Sequence, residues 1–113
     1  EKINFGKDQC ELCKMGIEDP KFATELITEK GRIYKFDDLN CMQSYATENA
    51  EQVGQAKLYV PDFLTNELFP LEKATLITGG AIKSPMNGNV AAFIDKTKAQ
   101  EEAQKLGASF LEQ

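Results

Sequence analysis

Phe22-Ala-Thr-Glu-Leu-Ile-Thr-Glu-Lys-Gly-Arg-Ile-Tyr-Lys-Phe-Asp-Asp38 decides the fold, because it spells a strand, a turn, a strand and a helix start in immediate succession. Residues 22–27 are rich in β-favouring and apolar side chains, and Glu29-Lys-Gly31 is a tight-turn signal. Arg32-Ile-Tyr-Lys-Phe36 alternates, which puts Ile33 on one face of a second strand and Tyr34 and Phe36 on the other. Asp37-Asp38 then offers carboxylates where the first free N–H groups of a helix need acceptors. That helix is expected to run to about Glu48, with Leu39, Met42 and Ala46 on one face. Ala56 to Phe63 reads as a third strand, which Pro61 ends or confines to a sheet edge.

The order β-β-α-β recurs further on. Thr75–Thr78 and Val90–Ile94 are strand-like and Gly79-Gly80 breaks the chain between them. Asp95 to Leu106 is a helix pattern with a Thr97-x-x-Gln100 capping box, a buried stripe of Ala99, Ala103 and Leu106, and Gly107 as its stop. A short strand from Ala108 to Leu111 closes the unit. The expectation is a single α+β domain over residues 1–113, made of two β-β-α-β halves (about 1–66 and 67–113) whose sheets share one core. At 113 residues and 42% hydrophobic content the chain can build that core without disulfides or metal.

Several function classes fall away. The net charge is −5 and the basic residues are scattered, so a phosphate-backbone surface is not expected and nucleic acid is excluded as a partner. No apolar run approaches the roughly 20 residues of a membrane-spanning helix, and no signal-peptide core lies at Glu1, so the chain as given is expected to be soluble, with any leader trimmed. With no histidine, Ser-His and Cys-His nucleophile pairs cannot form. Gly79-Gly80 lacks the Gly-Lys-Ser/Thr continuation of a phosphate loop.

Sulfur is the informative element. The three cysteines and three methionines fall in Cys10-Glu-Leu-Cys-Lys-Met15, Cys41-Met42 and Ser84-Pro-Met-Asn-Gly88. Thiolate and thioether are soft ligands that favour Cu(I), so the pattern points to a cuprous site. The first twenty residues lack periodicity and end at Asp19-Pro20, which puts Cys10–Met15 on a loop or short strand. In an extended segment Cys13 and Met15 would face the same side. Met86 sits in a Pro/Gly turn that would present its thioether. Cys13, Met15 and Met86 are therefore the first candidates, whereas an isolated methionine is more often a gap-filler. Cys41 lies in the first turn of the Asp37-Asp38 helix, as a buried thiol, a disulfide partner of Cys10 or a supplementary ligand. Met42, on the helix stripe, is expected in the core. Cys10-x-x-Cys13 also fits redox or zinc motifs, but Glu18-Asp19-Pro20 argues against the long helix a redox motif opens, and three cysteines leave a four-ligand N/S zinc site one short.

Cys-x-x-Cys-x-Met, Asp-Pro-Lys-Phe-Ala, Gly-Arg-Ile-Tyr-Lys-Phe-Asp-Asp-Leu-Asn-Cys-Met and Ser-Pro-Met-Asn-Gly-Asn-Val-Ala-Ala-Phe together resemble the NosL family of copper chaperones that serve nitrous oxide reductase. The match runs from Cys10 to about Gly107. The resemblance implies paired β-β-α-β halves related to a domain of organomercurial lyase, and a periplasmic or extracytoplasmic lipoprotein anchored through a removed N-terminus. It implies Cys13, Met15 and Met86 as Cu(I) ligands, and Cys10 and Cys41 stand as secondary candidates beside them. The implied partner is a copper-accepting enzyme, nitrous oxide reductase or its maturation transporter. No catalytic residue is expected. Lys14 stands where the family often has Gly. The lyase kinship supplies an alternative of another class, a thiol-based enzyme in which Cys10 or Cys13, Cys41 and Asp37 or Asp38 break a carbon–mercury bond. A disulfide-exchange module using the same thiols is a further one.

Overall fold

The strand–turn–strand unit forms as its sequence dictates. In the computed structural model, which describes residues 3–86 and 88–111, β1 (Thr24–Ile27) pairs antiparallel with β2 (Ile33–Phe36), Thr24 opposite Phe36 and Ile27 opposite Ile33. Thr28 N–H donates to Arg32 O at 2.8 Å and Gly31 N–H to Thr28 O at 2.9 Å. Gly31 has φ 92°, a backbone that a side chain would strain. Tyr34 and Phe36 face inward, as their alternation requires.

After β2 come α1 (Leu39–Glu48), the single-turn α2 (Ala50–Val53), β3 (Lys57–Pro61) and β4 (Leu68–Pro70). The first sheet is ordered β2-β1-β3-β4 and is antiparallel throughout. Pro61 is the last residue of β3, an inner strand, so it ends the strand and does not mark an edge. Beyond it the Asp62 carboxylate organises the turn, accepting from Leu64 N–H at 2.9 Å and Thr65 N–H at 3.2 Å on Oδ1. The second sheet, β6-β5-β7, comprises β5 (Thr75–Thr78), β6 (Val90–Phe93) and β7 (Ser109–Leu111), with α3 (Lys96–Leu106) between β6 and β7 in the chain. α3 is capped by Asp95 and not by the expected Thr97 box. The Asp95 carboxylate accepts from Thr97 N–H at 2.8 Å and Lys98 N–H at 3.4 Å, so Thr97 already lies inside the helix. Gly107, at φ 70°, ends α3 in the left-handed conformation that a C-terminal glycine supplies.

The two sheets meet where β3 runs out. Asp62 and Ala92 form an isolated parallel bridge, Phe63 N–H donates to Ala92 O at 2.8 Å, and Asp62 Oδ2 accepts from Ile94 N–H at 2.9 Å. Side chains also cross between the two sheets. Leu76 and Ala92 of the second sheet join the cluster of Leu26, Phe36, Met42 and Val60, while Phe22, just before β1, joins Ile77, Phe93 and Ala99. Edge-on and tilted ring contacts of Phe63 with Phe22 and Phe93, at centroid distances of 6.0 and 5.7 Å, stitch the seam. No helix among the described residues is long and apolar enough to cross a membrane.

Candidate metal centre

The loop before β1 is a pinched turn. Gln9 and Gly16 form an antiparallel bridge, and Ile17 N–H donates to Asp8 O at 2.8 Å. Inside the pinch, Cys10 N–H donates to Met15 O at 2.8 Å and Lys14 N–H returns to Cys10 O at 2.9 Å. Glu11 N–H donates to Lys35 O at 2.8 Å, which docks the turn on β2. Lys14 has φ 67°, in the left-handed region. The chain between Cys13 and Met15 is thus a turn and not the extended segment expected, and strand alternation does not apply to it. Cys13 faces inward and is partly buried, whereas Met15 is 60% exposed. Left-handed geometry at Lys14 also gives a physical reason for glycine at that position, since glycine adopts it without a β-carbon clash.

α1 delivers the other half of the site. Asp38 occupies its N-cap position with extended backbone (φ −155°, ψ 151°), yet its side chain does not cap the helix. Successive side chains on extended backbone point to opposite sides, so Asp37 and Asp38 diverge. The Asp37 carboxylate accepts from the Cys13 thiol, with Sγ 3.5 and 3.6 Å from its two oxygens. Asp38 turns toward Ser84, Met86 and Gly88. Cys41, the third helical residue, projects inward and is almost fully buried. The position of the helix start is therefore legible in the sequence, while its capping by these carboxylates is corrected: both are used elsewhere.

The result is a cluster. Cys10, Cys13 and Cys41 Sγ and an Asp37 oxygen all lie within 4.8 Å of one another. Donors at opposite sides of a metal with bonds of about 2.3 Å are about 4.6 Å apart and tetrahedral donors about 3.8 Å, so a pair at the outer limit of this cluster must close by up to about 1 Å to share one ion tetrahedrally. Cys10 and Cys41 are buried, and Cys13 is the thiol open to the surface. All three thiols are free. Burial pushes the Cys13 thiol above its usual value, the Met15 backbone hydrogen bond opposes this, and Cys10 and the Asp37 charge add to the rise. Burial, then Cys10 and Asp37, push Cys41 far higher. The helix-terminus benefit to a Cys41 thiolate is overridden by these neighbours, and without a metal both thiols stay protonated near neutrality. Asp37 is the candidate donor that counting cysteines and histidines leaves out: its oxygen stands as a fourth potential ligand atom beside the three thiols, so the donor count no longer argues against zinc.

Met86 lies on a neighbouring loop, partly buried, against the hydrophobic cluster that includes Cys10 and Cys41. It is less a displayed tip than the Pro/Gly turn suggests. Met42 is fully buried in that cluster.

The family model for NosL matches residues 4–112. No curated protein matches the sequence. Among solved structures the chain is similar to the crystal structure of the copper chaperone NosL from Shewanella denitrificans, at 19% identity and a TM-score of 0.80, covering 98% of this chain and 90% of that one. At this identity the likeness bears on the fold: mixed α and β with two antiparallel sheets, as described above.

Proposed function

The chain belongs to the NosL family, and from that premise we propose that it is a Cu(I) carrier that loads at the Cys13 edge of the thiol cluster and hands its ion to a copper-accepting protein outside the cytoplasm. The observation that carries this reading is the convergence of Cys10, Cys13 and Cys41, with Asp37, at one surface-accessible point. In the proposed site Cys13, Met15 and Met86 are the principal ligands, and Cys10 and Cys41 stand within reach to share the ion. A soft monovalent ion favours these sulfurs over the Asp37 oxygen. Binding displaces the Cys13 proton to solvent, which frees the Asp37 carboxylate from the thiol hydrogen bond it accepts. Thioethers are neutral and bind more weakly than thiolate, so they can be exchanged one at a time for an acceptor's ligands. Exposed Met15 is the natural first point of exchange.

Nitrous oxide reductase or its maturation transporter is the recipient we propose on the family resemblance, with the carrier held at the membrane as a lipoprotein. Competition with a Cu(I) chelator tests the reading. The reduced protein binds one Cu(I) per chain, and Cys13→Ser abolishes or strongly weakens that binding. Undiminished copper in Cys13→Ser removes the proposal's principal ligand.

One geometric fact favours a second reading. Two thiols and a carboxyl group are what protonolysis of a carbon–mercury bond requires, and Asp37, not Asp38, sits beside them. In that reaction mercury stays on the thiolates, the bond pair stays with carbon, and the acid's proton goes to carbon. Methane release from methylmercury would establish the enzyme. Cu(I) binding without turnover supports the carrier.

A further inference from the structure

Two motifs that stand far apart in the sequence, Phe36-Asp-Asp38 and Ser84-Pro-Met-Asn-Gly88, form one device. The Asp38 side chain is completely buried, and one oxygen, Oδ2, accepts three hydrogen bonds from the Met86 loop. Ser84 Oγ–H donates at 2.6 Å, Met86 N–H at 2.9 Å and Gly88 N–H at 3.3 Å. Asn40, in the first turn of α1, donates from Nδ2 to Met86 O at 3.0 Å, so both polar backbone atoms of Met86 are tied to the start of that helix. Ser84 Oγ also accepts from Asn89 N–H at 2.6 Å, and Asn89 Oδ1 accepts from Ser84 N–H at 3.0 Å, which closes the loop on itself. The closeness of Gly88 is required. A β-carbon there would lie 2.8 Å from Asp38 Oδ1 and 3.1 Å from Asn40 Cγ.

Hydrogen bonds to an ionised acceptor are roughly twice as strong as neutral ones, and three donors on one buried oxygen tie Ser84, Met86 and Gly88 to the start of α1. Oδ1 has no hydrogen-bond partner among the described residues. A fold seeking stability alone has simpler means than a buried carboxylate satisfied on one side. Cys41 lies in the first turn of α1 and Asp37 just before it, so the loop is pinned to the segment that supplies two of the four groups of the cluster. We infer that Asp38 is a positioning residue for the metal site, holding Met86 in register with the cysteine cluster by clamping Ser84, Met86 and Gly88. This deepens the Cu(I) reading and rests on it.

The test is a double-variant cycle on the full chain, read by Cu(I) chelator competition and by amide hydrogen exchange at Met86 and Gly88. Asp38→Ala is expected to raise the exchange rates of both amides and to weaken Cu(I) binding by about the factor seen in Met86→Leu. The double variant Asp38→Ala/Met86→Leu binds no more weakly than Met86→Leu alone, because residues acting through one another are not additive. Asp38→Asn keeps an acceptor oxygen for the three donors and restores most of the affinity. Ser84→Ala, which leaves the carboxylate in place, serves if Asp38→Ala does not fold, with a smaller effect in the same direction. Equal losses from Asp38→Ala in the parent and in the Met86→Leu variant would overturn the inference, as would faster amide exchange with unchanged copper affinity. Failure of the parent protein to bind Cu(I), with both amides still released by Asp38→Ala, would refute the copper reading and leave the clamp as a structural feature only.

Discussion

Replacing Lys14 by glycine should stabilise the protein without touching the metal ligands. Lys14 has φ 67°, and its N–H closes the turn onto Cys10 O at 2.9 Å. For an L-residue the left-handed region costs roughly 1–2 kcal/mol, which glycine avoids. Glycine gives part of this back through the greater freedom of the unfolded chain, typically about 0.4–1 kcal/mol. The lysine's ion pair with Glu11, at 3.7 Å and with 68% of the Lys14 side chain exposed, contributes little that would be lost. The net gain is about 0.5–1 kcal/mol, which for a domain of this size is a rise of roughly 3–6 °C in Tm. Thermal and urea unfolding of the reduced apo protein measure it. Lys14→Ala, which removes the charge but retains a β-carbon, is the control and should show no comparable gain. Lys14→Pro cannot reach the native φ and loses the N–H, so it should open the Cys10–Cys13 turn and cost copper as well as stability. If Lys14→Gly is no more stable than Lys14→Ala, the turn assigned here is wrong, and with it the inward placement of Cys13.

Asp37→Asn separates the two metals that the cluster can accommodate: Cu(I) affinity should stay within about threefold, whereas Zn(II), which accepts a carboxylate in its shell, should lose at least about tenfold. Parallel titrations with chelators for each ion decide this, and an equal loss for both would place Asp37 in the copper shell. Cu(I) affinity should rise with pH by about tenfold per unit for each thiol proton displaced, because Cys13 and Cys41 hold their protons above the ordinary value of 9.0. A flat profile between mildly acidic and neutral pH would mean that no thiol ligates. The same shifts set the alkaline stability of the apo protein. The unfolded chain ionises first, so the stabilisation is complete below pH 9.0 and is lost as pH climbs through the raised folded values, a decline that urea unfolding at increasing pH should reveal.

What the sequence conveys and what it withholds follow from range. The β1–β2 hairpin, the span of α1 and the α3 stop at Gly107 rest on side-chain alternation, helical spacing and turn chemistry within a few residues. β4 is not legible, because Leu68-Phe-Pro70 is too short to show a period and its proline argues against pairing; it is made a strand by β3. The pair Asp37-Asp38 announces a helix, but the partners of the two carboxylates are 24 and 46 residues away, at Cys13 and Ser84. Local reading assigns both to a cap. Two adjacent carboxylates on extended backbone cannot serve the same helix end, and that divergence is the available signal. The Cys10–Cys13 spacing marks one edge of the site, while the joining of Cys41 to it is a product of the fold. The strand alternation expected to align Cys13 and Met15 does not apply, because the chain turns through a left-handed residue, Lys14.

The central claim is that thioethers join a thiolate in holding Cu(I), and the most direct measurement is one chelator competition on Met15→Leu, Met86→Leu and Met42→Leu. Each change conserves volume and apolarity and should cost less than about 1.5 kcal/mol of stability, so differences in copper binding report on ligation and not on folding. Met42 is buried in the core and serves as the control. The account predicts clear losses of Cu(I) affinity for Met15→Leu and Met86→Leu and near-parental affinity for Met42→Leu. Parental copper binding by all three would make Met15 and Met86 packing residues and contradict the proposed site.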